Sequence, residues 1–289
     1  MRGLFGVVGL VVLVGGAAGQ EAVTFKSYPY SVGDKTRTVS TDDSATDTTV
    51  VAAGKEQKKN EKKKKTLVYV TEVVEVGPDA TKPAKRRRTY EKAVEVRDGV
   101  ETKLALDGKT VTIERSGDGY TFTTGGAPVD AAAAKELEGE FTKKGGFGDD
   151  KMFPKTAIKP GESWDLTELF LKESNTPDNP LVVATKGAKV TGKLLATAKK
   201  GATTFGDVEV TADLPVSELR GGLPLKLNPG SNWKLTMKGT GAMDGTSPEV
   251  SSTMTMKISV EGAENGVSVK VDSEVKLVRR TERVGGGKR

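Results

Sequence analysis

Short segments of alternating apolar and polar residues, cut by Asp-Gly and Asn-Gly pairs, dominate this chain. Asp98-Gly99, Asp107-Gly108 and Asp118-Gly119 separate Tyr90 to Val96, Val100 to Leu106, Thr110 to Arg115 and Tyr120 to Thr124. Asp-Gly readily takes the positive φ angles of tight hairpin turns, so these segments predict a meander. The C-terminal third repeats the device on longer runs, with Asp244-Gly245 and Asn265-Gly266 as turns. There Met254, Met256, Ile258 and Val260 share one face, as do Val267, Val269, Val271, Val275 and Leu277. A period of two over that length predicts a half-buried antiparallel sheet. Further strands are predicted at Val23 to Val32, Thr36 to Ser40, Thr48 to Ala53, Thr66 to Val76, Ala188 to Ala198, Thr203 to Leu214 and Asn232 to Gly241.

One segment breaks this pattern. Asp130 precedes four alanines, Leu137 and Phe141 are spaced i, i+4, and Gly145-Gly146 follows, which is the start, stripe and stop of a short helix. Leu166 to Lys172 reads equally as a second helix or a strand. The predicted fold is mainly β: long-stranded antiparallel meander sheets, forming a curved sheet or half-barrel, with one short helix. An aromatic-Pro followed by a Gly-acidic turn occurs at Tyr28-Pro29 and again at Phe153-Pro154. Two related halves and recurring turn chemistry explain that echo equally well. The expected layout is a signal peptide at 1–19, an N-terminal β half at 20–125, a helical linker at 126–150, a C-terminal β half at 151–280 and a disordered basic tail at 281–289.

The signal peptide rests on Arg2, the apolar run Leu4 to Val14 and the small residues Gly15 to Gly19. Such a run is too short to cross a bilayer, which takes about 20 helical residues. It predicts export to the periplasm or medium, with no transmembrane span in the mature chain. No Cys follows the run, so lipid anchoring is not expected.

Composition narrows the chemistry. The 289 residues include no His and no Cys, which removes imidazole bases, thiolates, disulfides and the usual zinc, haem and iron–sulfur ligands. The net charge of +6 is locally concentrated in KEQKKNEKKKK at Lys55 to Lys65, KRRR at Lys85 to Arg88 and the tail, leaving the remainder acidic. The Lys run is expected as an exposed connection between strands that resists edge pairing. The functional alternative is an anion-binding surface made of Lys58, Lys59, Lys62, Lys63, Lys64, Lys65, Lys85, Arg86, Arg87 and Arg88, facing an envelope polymer or a membrane surface. Nucleic acid is not an expected partner, because few aromatics flank these blocks to stack bases.

Other constellations carry less. Asp107-Gly108-Lys109-Thr110 resembles the end of a phosphate loop but lacks its leading Gly and falls at a hairpin. Asp42-Asp43 and Asp149-Asp150 lack the alternating spacing that wraps calcium. Glu162 and Asp165 are the carboxylate pair for a glycoside-hydrolase reading, with Trp164 and Trp233 as sugar platforms or, on the simpler view, core residues. The pair Met254 and Met256 reads as core filling.

Phe153-Pro154 through Ile158-Lys159-Pro160-Gly161-Glu162-Ser163-Trp164 resembles uncharacterised exported bacterial all-β proteins that carry a P, then V/I-x-x-G-D/E-x-W element. The resemblance covers about a dozen residues. It implies no activity and no functional residues. β-Rich envelope proteins of this kind are similar to the half-barrels of periplasmic lipoprotein carriers, an analogy of fold only. The leading expectation is therefore a non-catalytic exported binding or structural protein, without cofactor or metal, whose ligand is unassigned and apolar in one version. The anionic-polymer or membrane-surface binder stands second and a carboxylate hydrolase last.

Overall fold

The computed structural model describes residues 21–117, 119–141, 149–177, 179–220 and 225–285. The expected signal peptide, Asp118, Gly145-Gly146 and the end of the basic tail lie outside these residues, as do the side chains of Asp149 and Asp150.

Strands hold 63% of the chain, in one open, curved antiparallel sheet, as the alternating pattern predicts. In chain order its first part is β1 Lys35–Ala52, β2 Lys55–Val76, β3 Pro83–Arg97, β4 Val100–Lys103, β5 Thr110–Ser116, β6 Gly119–Thr124 and β7 Ala127–Pro128. Three helices follow or interleave: α1 Ala131–Phe141, α2 Asp149–Met152 and α3 Thr167–Ser174. The second part is β8 Ser163–Asp165, β9 Leu181–Val183, β10 Lys189–Lys200, β11 Thr203–Leu219, β12 Lys226–Leu227, β13 Asn232–Ala242, β14 Val250–Glu264 and β15 Val267–Arg283. The order across the sheet is β7-β6-β5-β3-β2-β1-β15-β14-β13-β11-β10-β8. The N-terminal strand β1 thus lies beside the C-terminal strand β15, and the meander runs outward from this central pair on both sides.

Turn chemistry sets the hairpins. Asn265 and Gly266 have φ of 51° and 78°, and Asp98 and Gly99 have 49° and 87°, the two positive values of a tight primed turn. Ala53 and Gly54 make the same turn between β1 and β2 with φ of 50° and 74°. An alanine seldom adopts that conformation, so the sequence carries no warning of this hairpin.

Two cores form on one face of the sheet. Under the N-terminal part, Ala133 and Leu137 of α1 pack on Tyr69, Tyr90, Ala93, Val111 and Ile113. Asp130 caps α1 as expected, its Oδ1 accepting from the amide of Ala133 at 2.8 Å. Under the C-terminal part, Phe170 of α3 and Leu166 pack on Val190, Leu194, Val210, Ala212 and Leu214.

Several local expectations change. Thr36 to Ser40 and Thr48 to Ala53 are one continuous strand, and Leu166 to Lys172 is resolved as helix. The predicted strand Val23 to Val32 is reduced to single bridges, Val23 to Ile158 and Lys26 to Asp244. The fold therefore has α1 and α3, plus the single turn α2, where one short helix was expected. Thr281 to Arg283, expected in the tail, complete β15.

A trough with an apolar side and a charged side

Strand register divides the sheet into two chemically distinct faces. On the helix-bearing face, Val210, Met237, Met254, Leu277, Asp42 and Lys65 stand in one row across β11, β13, β14, β15, β1 and β2. The next row reads Ala212, Leu235, Met256, Val275, Ser44 and Lys63. Each row passes from apolar to polar where β15 meets β1 and ends in a lysine on β2. The opposite face of β14 and β15 carries Thr253, Thr255, Lys257, Lys270, Glu274 and Lys276. Alternation of side chains along a strand produces this division directly.

Among the described residues, the helix-bearing face of β14 and β15 forms a strip that lies outside both cores. Ile258, Val267, Val269, Val271, Val275 and Leu277 are half-buried and belong to neither core. Helix α1 packs chiefly on β2, β3 and β5 and α3 on β10 and β11, so among the described residues the helices sit to either side of this strip, with Leu277 alone reaching the space beneath α1.

At one end the strip opens into a cavity of about 340 Å³ beneath α1. Its wall includes Asp42, Lys65, Leu67, Tyr69, Tyr90, Leu277 and Arg279 from the strands, and Glu136, Gly139 and Glu140 from α1. Beside it Arg88 is 3% exposed and grips Glu140 through two hydrogen bonds of 2.6 and 3.0 Å. The Arg88 guanidinium also stands 4.0 Å from the centre of the Tyr69 ring and donates to the Tyr90 hydroxyl. Burial pushes the Tyr90 phenol up to about 12. Burial alone would raise the Glu140 pKa, but the charge and hydrogen bonds of Arg88 override it and hold the carboxyl below its ordinary range. Arg279 donates to the Tyr69 hydroxyl at 3.3 Å.

The expected anion-binding residues are distributed differently from the sequence reading. The Lys run is not a connection: all of Lys55 to Lys65 is strand β2, hydrogen-bonded to β1 throughout. Its lysines alternate between faces, so they do not form one patch. Lys58, Lys62 and Lys64 lie on the opposite face with Lys85 and Arg87, whereas Lys59, Lys63, Lys65, Arg86 and Arg88 lie on the helix-bearing face. Many are neutralised locally, in the pairs Lys58–Glu56, Lys59–Glu61, Lys63–Glu95, Lys85–Glu114 and Arg87–Glu72.

Other candidates are absorbed by local structure. The Glu162 carboxylate accepts from the Lys159 amide, and Asp165 accepts from the amide and hydroxyl of Thr167. Trp164 rests against Phe25 and Phe153 and donates to the Met152 carbonyl. Trp233 packs against the C-terminal core. Adjacent Asp42 and Asp43 point to opposite faces, and Asp107 accepts from the Ala93 amide. Sequence reasoning missed Arg279, Glu136 and Glu140. The signal for Arg279 was present, since it continues the Val275, Leu277 alternation onto the same face.

No protein-family model matches the chain, and no curated protein sequence does either. Among solved structures, the chain is similar to one titled for lipid–protein interactions in lipovitellin, at 11% identity and TM-score 0.38, covering 90% of this chain. It spans 26% of the length of that lipovitellin chain. It is also similar to an outer membrane channel from Pseudomonas putida F1, at 10% identity and TM-score 0.22, over 90% of this chain and 98% of that one. The outer membrane protease OmpT from Escherichia coli is similar at 7% identity and TM-score 0.19, over 87% and 97% of the two chains. At such identities and scores no ligand or activity transfers, and function has to come from the chain's own residues.

Proposed function

We propose that this chain is a non-catalytic, exported binding protein that holds an apolar ligand on the helix-bearing face of its sheet. The observation that carries this reading is the β14–β15 strip, in which Ile258, Val267, Val269, Val271, Val275 and Leu277 are half-buried and, among the described residues, lie outside both cores. A strip of this kind beside a preformed cavity gains free energy when an apolar chain displaces water from it, by about 25 cal/mol per Å² removed from water. The carboxylates available for hydrolysis serve local turns, which supports the non-catalytic part. The localisation rests on the N-terminal sequence pattern and on the resemblance to exported envelope proteins.

The test uses the uncharged probe N-phenyl-1-naphthylamine, whose emission rises in apolar surroundings. The intact protein should bind it saturably. Val271 lies between Val260 on β14 and Thr48 on β1, in the middle of the strip. Val271→Asp should weaken binding by about tenfold or more, because the ligand would have to desolvate a carboxylate. No saturable emission, or equal binding by the variant with an unchanged melting temperature, would overturn the proposal.

A further inference from the structure

We infer that the trough is built for an amphiphile whose headgroup carries both a positive and a negative charge, with its tail on the β14–β15 strip and its headgroup in the cavity beneath α1. The inference rests on the apolar-ligand reading above and adds the chemistry of the polar end. The helix-bearing face turns from apolar to polar on passing from β15 to β1 and β2, and along β15 from Leu277 to Arg279, so a ligand lying across that boundary must itself have two unlike ends. Leu277 belongs to both regions, lining the cavity and heading the valine ladder. The two binding surfaces are therefore continuous.

The sign of the headgroup follows from which charges are already satisfied. Glu140 is held by Arg88, and Glu95 by Lys63. Four charged groups on the cavity wall have no ion-pair partner among the described residues: Lys65 and Arg279, which are cationic, and Asp42 and Glu136, which are anionic. Oε2 of Glu136 is buried and accepts no hydrogen bond from any described residue. A buried carboxylate oxygen without a donor is costly, and a ligand ammonium would supply that donor. Lys65 and Arg279 then face the ligand's phosphate, for which the arginine fork is well shaped. A purely anionic headgroup would leave Asp42 and Glu136 repelling it. An uncharged one could offer hydrogen bonds but no counter-charge to any of the four. A phosphate–ammonium headgroup pairs with both sets.

The experiment compares three lipids that share one acyl chain: lysophosphatidylethanolamine, lysophosphatidic acid and monoacylglycerol, each titrated calorimetrically into the full chain below its micelle concentration. The zwitterionic lipid should bind about tenfold more tightly than either of the others, the gain expected from one charge-assisted hydrogen bond. Glu136→Gln and Arg279→Gln should each bring lysophosphatidylethanolamine affinity to within about threefold of the same variant's monoacylglycerol affinity, and matching melting temperatures would show that both variants fold. Equal affinities, or a preference for lysophosphatidic acid, overturn the headgroup assignment and leave the apolar trough standing. Failure of all three lipids to bind overturns the trough as well.

Discussion

Removing the carboxylate of Glu140 tests what holds α1 against the sheet. Glu140→Gln keeps the shape of the side chain but leaves the Arg88 guanidinium buried without a counter-charge. For a fully buried pair, loss of one partner costs about 3–5 kcal/mol. Here Arg88 is 3% exposed but the Glu140 side chain is 34% exposed, so water partly replaces the lost oxygen. The Tyr69 ring and the Tyr90 hydroxyl also remain in contact with the guanidinium. These effects lower the expected cost to about 2 kcal/mol. In a domain of this size that is a drop in melting temperature of about 4–8 °C.

The pH dependence gives a second, independent readout of the same pair. Arg88 holds the folded-state pKa of Glu140 below the unfolded value, which is about 4.3. A carboxyl with a depressed folded pKa contributes its stabilisation fully above the unfolded pKa, and loses it as pH falls through the folded one. The gap between the native protein and Glu140→Gln should therefore be constant at neutral pH and close below about pH 4. Urea unfolding followed by circular dichroism would measure it, with Arg88→Met completing a double-mutant cycle. A coupling below about 0.5 kcal/mol, or a gap that does not narrow in acid, would refute the account.

Two other substitutions probe the scaffold. A Cβ built on Gly192 would overlap the indole of Trp164, so Gly192→Ala should destabilise by about 1–3 kcal/mol and shift tryptophan emission. An unchanged melting curve would show that the β8 edge repacks freely. Asp130→Ala removes the cap at Ala133 and the 2.7 Å contact to Lys109, and should cost about 1 kcal/mol in urea unfolding, with a small loss of helix signal. No change would mean that α1 is held by its packing alone.

How much could be read in advance depended on whether a signal was local. Met254 to Val260 and Val267 to Leu277 set apolar side chains on the helix-bearing face and mostly polar ones on the other, so their period of two is visible in the sequence itself. The Lys run has no such period, because both faces of β2 are lysine-rich there. What makes it a strand is the ladder to β1, where Thr, Ser and Asp oppose the ammonium groups, and carboxylates such as Glu95 of β3, paired with Lys63, neutralise some of them. Arg88 looked like part of an exposed basic block because its partner Glu140 lies 52 residues further on, in a helix. The cavity was illegible for the same reason: its wall draws on β1, β2, β3, β15 and α1, and no local pattern records that meeting.

The strand order also explains why the trough stays open and what kind of surface it offers. The outermost strands β7 and β8 are consecutive in the chain, two and three residues long, and do not pair with each other. Edges this short resist adding further strands. The segment joining them places Leu137 in one core and Met152 in the other, so its described parts pack on the helix-bearing face. A membrane-spanning barrel needs the reverse chemistry, an apolar band facing outward and a polar interior. On β14 and β15 the face away from the helices carries Lys257, Lys270, Glu274 and Lys276, while the valines and methionines lie on the helix-bearing face. The charged face of these two strands therefore suits water, and the apolar ligand proposed above has its matching surface on the helix-bearing face.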